Sequence, residues 1–362
     1  MSKNLTLSIC VAVLSFVAIE IGLNVARYLI DAKKGRDVIA FRRQFFRNPE
    51  TASRFEKESS NLPHRFDSYL IWRKKSKAGT LLNLDDEGTR RTWNPETGVA
   101  NAKQLWMFGG STLWGADTID DETIPSWLSK RFADHNVPAR ITNFGEGGYV
   151  STQEMIQLIL LLKAGKKPDV VIFYDGVNDI LSAQQSQRAG EIQQRSQFED
   201  HIYRSRSWIR NVADPLIQYC QTYHLYRHLR QRYASDPPFG DAALASDVVQ
   251  KYLENVAMIE QLATAYGFKV VFIWQPVIFL ENRRLPQDAA LDLRANDTSL
   301  RRLTLLSTEL LKEKLRYNTF PVHIISDALS QRKKAVYLDY CHISGEGNRM
   351  VSEVIYPLCA GL

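Results

Sequence analysis

From residue 104 onwards, short apolar runs alternate with longer segments whose apolar residues recur at helical spacing. Short apolar runs bounded by turn residues are typical of buried strands, and amphipathic segments between them favour helices that cover both faces of a parallel sheet. The predicted strands are LWMF (105–108), RITNF (140–144), VVIFY (170–174), VVFIW (270–274) and VHII (322–325), with helices near 124–134, 153–164, 248–265 and 298–316. The pattern therefore predicts a three-layer α/β sandwich around a central parallel sheet.

The alternation is interrupted between residues of about 182 and 245. This stretch is polar at first, then rich in Tyr, His and Arg, and it ends at Pro237-Pro238. We interpret it as a helical insertion, placed as a lid or cap over the sheet. The predicted domain that contains it covers residues 101–362.

An apolar run at residues 5–26 is long enough to cross a bilayer, for which about 20 residues suffice. A cleaved signal peptide is the alternative, but no A-x-A cleavage site follows the run. The sequence therefore predicts an uncleaved, single-pass transmembrane helix within residues 1–30. Residues 31–100 are predicted to be a juxtamembrane region, with a polar helix over 31–46 and short strands from SYLIWRKK and TLLNLDDEGTRRT around a turn at 86–88.

Charge gives conflicting indications about the side of the membrane. The formal net charge is +6, and much of the excess follows the apolar run, at Arg27, Lys33, Lys34, Arg36, Arg42, Arg43 and Arg47. Such a cluster either contacts anionic headgroups or is a solvated linker. The positive-inside rule would keep the domain in the cytoplasm, whereas an apolar leader before a soluble α/β fold favours an extracytoplasmic domain, which we expect. The basic residues are not interleaved with aromatic residues on one face, so no nucleic-acid partner is predicted.

The composition, with 44% hydrophobic and 24% charged residues, is that of an ordinary folded protein. A core of this size needs no metal or disulfide for stability. The cysteines lack metal-binding spacing, so neither a metal nor another cofactor is expected. Cys341 and Cys359 are either bridged, in an oxidising compartment, or both buried as free thiols.

Distinctive polar residues follow the predicted strands, at the edge where open α/β sheets bind their ligands. Gly109-Gly110-Ser111 follows the first strand, the glycine-rich stretch 145–148 the second, and Asp175-Gly176-Val177-Asn178-Asp179 the third. Asp339-Tyr340-Cys341-His342 lies near the C-terminus. A hydroxyl, a glycine-lined backbone, a carboxamide, a carboxylate and an imidazole are thus expected at one site.

This set is what acyl transfer through a serine requires. A neutral hydroxyl needs a base, and the tetrahedral intermediate needs donors fixed where its oxyanion forms. Ser111 is the candidate nucleophile, with His342 as its base and Asp339 holding the imidazole. The backbone N–H groups of Ser111 and Gly148 and the side chain of Asn178 are the candidate oxyanion donors, with Gly145 and Gly147 as competitors for the glycine position.

GGS at 109–111, NFGEGG at 143–148, GVND at 176–179 and DYCH at 339–342 resemble, in order, the four blocks of the SGNH/GDSL hydrolase family. Gly110 stands where the family name has Asp. The resemblance covers residues 100–362 and implies a flavodoxin-like sheet. It also implies hydrolysis of acetyl or longer acyl esters on sugars or lipids, with Ser111, Gly148, Asn178 and His342 at the four naming positions and Asp339 completing the triad.

Three functions remain open from the sequence. The first is a membrane-anchored esterase acting on O-acetyl or other acyl groups of a carbohydrate or lipid. The second is an O-acyltransferase, in which a sugar hydroxyl replaces water, and the third is a non-catalytic binding protein on a hydrolase fold. Trp114, Tyr149 and Gln275 follow the strands and are candidate substrate-binding residues.

Overall fold

The computed structural model describes residues 3–96, 101–204, 220–226, 241–281, 285, 286, 288, 291 and 298–362. The chain divides into two compact units. One comprises Met1–Arg42 and Ser196–Pro238, and the other comprises Arg43–Arg195 and Phe239–Leu362.

In chain order, the helices are α1 (Lys3–Arg43), α2 (Pro49–Ser59), α3 (Ser111–Trp114), α4 (Ile124–Asp134), α5 (Ser151–Lys163), α6 (Val177–Ser186), α7 (Arg195–Arg204), α8 (Asp241–Tyr266), α9 (Thr298–Tyr317) and α10 (Gly345–Cys359). The strands are β1 (His64–Asp67), β2 (Ile71–Lys74), β3 (Lys103–Gly109), β4 (Ala139–Asn143), β5 (Val170–Asp175), β6 (Lys269–Trp274) and β7 (Val322–Ile324). Single 3₁₀ turns occur at Asp120–Glu122 and Ile278–Leu280.

The smaller unit contains α1, the one helix in the described part of the chain that is long and apolar enough to cross a membrane. Glu20 interrupts the apolar run of this helix. Its carboxylate accepts hydrogen bonds from the backbone N–H groups of Gln221, at 2.6 Å, and Thr222, at 2.9 Å, and so caps a helical turn at 221–226. A polar residue within an apolar helix is thus paired, as such residues usually are.

The larger unit contains a five-stranded parallel sheet in the order β4-β3-β5-β6-β7. Counted from the first strand of this sheet, that is the 2-1-3-4-5 order of flavodoxin-like folds. All five predicted strands are present, and the predicted α/β sandwich with a central parallel sheet is confirmed. Helix α4 packs against α10, while α5, α6 and α9 pack against α8.

The core follows the predicted apolar runs. Every residue of β5 is buried, because strands on both sides and helices above and below enclose it. Phe108, Phe173 and Phe272 are aligned on three neighbouring strands and stack with ring-centroid distances of 5.1 and 5.4 Å. Phe144 extends the stack at 5.2 Å from Phe108.

Residues before the sheet form structure that the sequence indicated only in part. Strand β2 lies within the predicted SYLIWRKK strand, but its antiparallel partner is β1, which was not predicted. The stretch at 80–92 forms isolated bridges, from Leu84 to Lys77 and to Arg90, rather than a strand. From Arg43 onwards these residues belong to the same compact unit as the sheet. The predicted domain limits at 30 and 100 stay a prediction.

The predicted insertion at 182–245 lies partly outside the described residues, at 205–219 and 227–240. Its described parts include the end of α6, the helix α7 and the turn at 221–226. All four cysteines are free thiols, and Cys341 and Cys359 are buried separately. The structure therefore favours the second of the two alternatives for this pair.

Candidate active site

Ser111 lies at the carboxyl end of the central strand β3, as the first residue of the short helix α3. Its side chain is partly exposed, and Oγ lies 2.7 Å from Nε2 of His342. The turn is tight because Gly109 has no room for a side chain: a Cβ there would lie 2.8 Å from the Tyr174 carbonyl oxygen on the next strand. The strand end therefore presents the Ser111 hydroxyl at the edge of the sheet.

His342 and Asp339 share one loop between β7 and α10. Nδ1 of His342 lies 2.7 Å from Oδ2 of Asp339. The other oxygen of Asp339 accepts the backbone N–H groups of Cys341, at 3.0 Å, and His342, at 2.8 Å. Since the carboxylate is fixed by the backbone of its own loop, it holds the imidazole with Nε2 directed at Ser111.

The surroundings of the loop set the charges of these two groups. Burial alone would raise the pKa of Asp339, but His342 and the hydrogen bonds to the carboxylate lower this pKa to about 2. Burial alone would lower the pKa of His342, whereas Cys341 and Asp339 raise it well above its ordinary value. Burial also raises the pKa of the Cys341 thiol, which is therefore neutral near pH 7. Because a neutral thiol carries no charge, Asp339 is the group whose negative charge raises the pKa of His342 near pH 7.

Asn178 stands in the first turn of α6, after the neighbouring strand β5. Its Nδ2 donates to the Tyr149 carbonyl oxygen at 2.7 Å. The same amide lies against Gly110, where any Cβ would collide with Nδ2. The carboxamide therefore sits between the residue that precedes Ser111 and the residue that follows Gly148. A side chain at position 110 would therefore require the Asn178 amide to shift.

The glycine-rich stretch after β4 brings backbone N–H groups to the same edge. Gly145 donates its N–H to Oδ1 of Asn143 at 3.0 Å, and Gly147 donates to Oε1 of Glu146 at 2.9 Å. Gly148 has a φ of +81°, in the left-handed region that favours glycine. The first two N–H groups are therefore already engaged within the loop.

The β1–β2 hairpin holds this glycine-rich loop from the outside. Trp72 donates its indole N–H to the Gly147 carbonyl oxygen at 3.0 Å, and Tyr149 donates its hydroxyl to the Trp72 carbonyl oxygen. Lys74 and Glu146 form an ion pair and both are buried. Because a buried charge must be paired, removing either partner would leave the other buried without a counter-charge and would strongly destabilise the fold.

Arg90 supports the helix that carries Ser111. Its guanidinium is fully buried, pairs with Asp120 at 3.0 Å and donates to the Trp114 carbonyl oxygen at 3.1 Å. It also donates to the carbonyl oxygens of Gly115 and Thr118. The carbonyl groups that end a four-residue helix thus find donors in one side chain, a role for residue 90 that the sequence did not suggest.

The three candidate substrate-binding residues are buried. Trp114 is 5% exposed, Tyr149 1% and Gln275 3%. Trp114 packs with the cations of Lys74 and Arg90, at 4.5 and 4.4 Å from its ring centroid. Gln275 accepts a hydrogen bond from Thr112, next to Ser111, at 3.0 Å. These side chains line the interior behind the site rather than its surface.

A group of buried carboxyls lies beneath Asn178. Burial raises the pKa of Asp175 to about 8 and that of Asp179 to about 6, and it raises the pKa of Glu154 well above its ordinary value. Asp179 accepts the hydroxyl of Ser151 at 2.6 Å. Neither these carboxyls nor their pKa values were anticipated from the sequence, because burial is a property of the folded chain.

Among the described residues, one group of three potential metal ligands lies close together: Asp339, Cys341 and His342. Two of its members are already hydrogen-bonded to each other, and His342 also faces Ser111. The same atoms thus complete the serine–histidine–aspartate arrangement that the sequence predicted.

A family model and several solved structures are similar to this chain. The family model of the GDSL-like lipase/acylhydrolase family matches residues 107–298, slightly more than half of the chain. This match includes Ser111, Gly148 and Asn178 and ends before Asp339 and His342. No curated protein matches the chain.

Several solved structures are similar at low identity. A carbohydrate acetylesterase family member from Sinorhizobium meliloti has 12% identity and a TM-score of 0.42, covering 72% of this chain and 100% of its own. A member of the lipolytic G-D-S-L family from Veillonella parvula has 15% identity and a TM-score of 0.41, with the same coverages. An acetylxylan esterase from Geobacillus stearothermophilus, solved as a catalytic mutant, has 10% identity and a TM-score of 0.40, covering 72% and 95%. On the evidence of the family model, this chain belongs to the GDSL-like lipase/acylhydrolase family and is an ester hydrolase.

Proposed function

We propose that the chain hydrolyses acyl esters through an acyl-enzyme on Ser111. The observation that carries this proposal is the hydrogen-bonded chain from Ser111 Oγ to His342 and on to Asp339, with 2.7 Å at each step. A serine hydroxyl becomes a nucleophile when an adjacent base takes its proton, and the base works best when a third group orients it. The geometry supplies all three groups.

In the proposed reaction, His342 Nε2 takes the proton of Ser111 as Oγ attacks the ester carbonyl. The tetrahedral intermediate collapses when the same imidazolium returns that proton to the leaving alcohol oxygen, which leaves the acyl group on Ser111. Water then attacks the acyl-enzyme while His342 takes one of its protons, and the second tetrahedral intermediate collapses as His342 returns that proton to Ser111 Oγ and the acid departs. Asp339 remains ionised throughout and stabilises the imidazolium.

We assign the oxyanion donors to the N–H groups of Ser111 and Gly148 and to the Nδ2 of Asn178. Gly148 is favoured over its two competitors because Gly145 and Gly147 donate their N–H groups to Asn143 and Glu146. Asn178 lies against both the Ser111 turn and the glycine-rich loop, so its donor is near both backbone groups. Donors fixed in advance stabilise the transition state without reorganisation.

For the substrate we propose an O-acetyl or other acyl ester carried by a carbohydrate or a lipid. Trp72 is partly exposed beside Gly148, where its ring would lie 3.4 Å from a Cβ on that residue. Phe66, its cross-strand partner on β1, is 77% exposed. Exposed aromatic groups next to a reaction centre are suited to a ligand with apolar faces, such as a sugar ring or a lipid. Trp114, Tyr149 and Gln275 are given packing roles in this proposal.

We further propose that α1 anchors the chain in a membrane as a single-pass helix and that the catalytic unit is extracytoplasmic. The apolar character of α1 and the pairing of Glu20 within its own unit support the anchor. The basic residues after the apolar run are the opposing observation for the orientation.

The orientation can be tested in sealed spheroplasts of the expressing cells. Protease added outside should digest the catalytic unit while a cytoplasmic marker stays intact, because the catalytic unit would lie outside the permeability barrier. Protection of the catalytic unit until lysis would place it in the cytoplasm, as the positive-inside rule indicates.

Replacement of the proposed nucleophile is the central test of the function. Ser111→Ala should lower kcat for p-nitrophenyl acetate by about 10⁶-fold, leaving the residual catalysis of the oxyanion donors. The variant should fold normally, because the hydroxyl is partly exposed. Ser246→Ala, an exposed serine on α8, serves as the matched control and should retain full activity.

A labelled fluorophosphonate provides a second readout of the same variants. It should modify the wild type and Ser246→Ala but not Ser111→Ala. Labelling that persists without Ser111 would mean that another serine is the nucleophile.

Product analysis with acetylated sugar and a free sugar acceptor separates hydrolysis from transfer. Free acetate would identify an esterase, and acetylated acceptor would identify an acyltransferase.

The glycine before the nucleophile should also be essential. Gly110→Ala adds a Cβ where the Asn178 amide lies, so the amide must swing away from the oxyanion position. We expect kcat to fall by about 10²–10³-fold, as for loss of one oxyanion donor, with little change in thermal stability. Gly361→Ala, whose Cβ meets nothing within 4 Å, is the control. Near-normal turnover in Gly110→Ala would remove Asn178 from the proposed oxyanion site.

The pH dependence follows from the charges of the triad. The base must be neutral, so the raised pKa of His342 means that kcat/KM falls on acidification at a higher pH than an ordinary histidine near 6.5 would give. Asp339→Asn removes the negative charge, which should move this acid limb to lower pH and lower the maximum rate by about 10⁴-fold. A pH–rate profile with a sensitive fluorogenic ester measures both effects. An acid limb that does not move would show that Asp339 does not set the charge of the base.

A further inference from the structure

Gln193 belongs to none of the four sequence blocks and follows α6 in the segment that leads to α7. This segment is tied down close to the site. The buried hydroxyl of Ser182 on α6 donates to the Glu191 carbonyl oxygen, and the Glu191 carboxylate pairs with Arg195. The first contact holds residue 191 beside α6, two positions before Gln193, and the second is a local ion pair across Gln193.

The side chain of Gln193 contacts one of the proposed oxyanion donors and lies beside the residue that carries another. Its Nε2 donates to Oδ1 of Asn178 at 2.9 Å. Its Oε1 lies against Gly148, 3.2 Å from the position of a Cβ on that residue. One carboxamide thus binds the side chain of Asn178 and packs next to Gly148.

The hydrogen bond from Gln193 to Asn178 matters because one end of a carboxamide is a donor and the other end is an acceptor. Rotation by 180° would exchange its NH₂ donor for a carbonyl acceptor, which would repel an oxyanion. The Tyr149 carbonyl can only accept, so it holds Nδ2 at one end, and Gln193 donates to Oδ1 at the other. With both ends fixed, the second N–H of Asn178 stays available for the oxyanion.

We propose that Gln193 is a positioning residue that holds the Asn178 carboxamide in its donor orientation and thereby increases the rate of ester hydrolysis. This inference rests on the proposed function, in which Asn178 is an oxyanion donor. In this proposal Gln193, which lies in the predicted insertion, contributes to catalysis through Asn178 and does not contact the reacting atoms. The interaction is made before substrate arrives, as preorganised donors require.

Gln193→Ala should lower kcat for p-nitrophenyl acetate by about 10- to 100-fold, the range typical for loss of a supporting partner, and change KM little. The loss should be smaller than that of Asn178→Ala, about 10²–10³-fold. Gln185→Ala, an exposed glutamine on α6, is the matched control and should keep normal turnover. Thermal melting of the full-length chain in detergent shows whether each variant is folded.

A double-mutant cycle separates positioning from general support. If Gln193 acts through Asn178, then Gln193→Ala should have no further effect on kcat in the Asn178→Ala background. Gln193→Met provides a second arm, because it keeps the approximate size of the side chain and adds no charge, while its thioether cannot donate to Oδ1. This variant should lose about as much activity as Gln193→Ala, whereas a space-filling role would leave it active.

Unchanged kcat in Gln193→Ala, additive losses in the cycle, or full activity in Gln193→Met would each overturn the inference. These outcomes differ from failure of the proposed function, in which the wild type itself hydrolyses no ester. In that case the rate of fluorophosphonate labelling of Ser111 replaces kcat in the same cycle, since phosphonylation also develops charge on an oxygen at the oxyanion site.

Discussion

Phe108, Phe173 and Phe272 stack across β3, β5 and β6. The site depends on the strand register that aligns these three rings. In a parallel sheet a shift of one residue turns every side chain to the opposite face. Here such a shift would move these rings out of the core and would also displace the strand ends. With the rings in place, the turn that presents Ser111 and the turn that presents Asn178 end at the same edge. The alignment of hydrophobic side chains thus decides the distances between polar ones.

Buried ion pairs support the edge of the sheet where the candidate active site lies. Arg90 with Asp120 and Lys74 with Glu146 are paired inside the unit, and each pair also binds backbone groups next to the site. Isolated buried charges are costly, whereas paired and hydrogen-bonded ones specify a single arrangement. The raised pKa of Asp175 solves the same problem beneath Asn178 by keeping that carboxyl neutral near pH 7. The loops therefore have little freedom to rearrange.

Residues outside the four blocks contribute to this support from both directions along the chain. The β1–β2 hairpin precedes the sheet and binds the glycine-rich loop through Trp72. Gln193 follows α6 and meets Asn178 and Gly148 from the other side. Gly148 thus lies between the two segments. Such contacts depend on the path of the chain in space, and neither segment carries a motif that would reveal them.

The sequence by itself determined the five sheet strands, the parallel α/β architecture and the residues at the strand ends, because apolar periodicity and turn residues are local properties. It also predicted that Ser111, Asp339 and His342 would meet, since parallel strands deliver their carboxyl ends to one edge. The pattern did not show that Trp114, Tyr149 and Gln275 are buried, or that β1 pairs with β2. Nor did it show that the Asn178 amide lies where a Cβ on residue 110 would stand, because Asn178 comes 68 positions later in the chain. Only the tertiary structure decides such features, because burial, pKa and close approach arise between residues that are distant in sequence and adjacent only after folding.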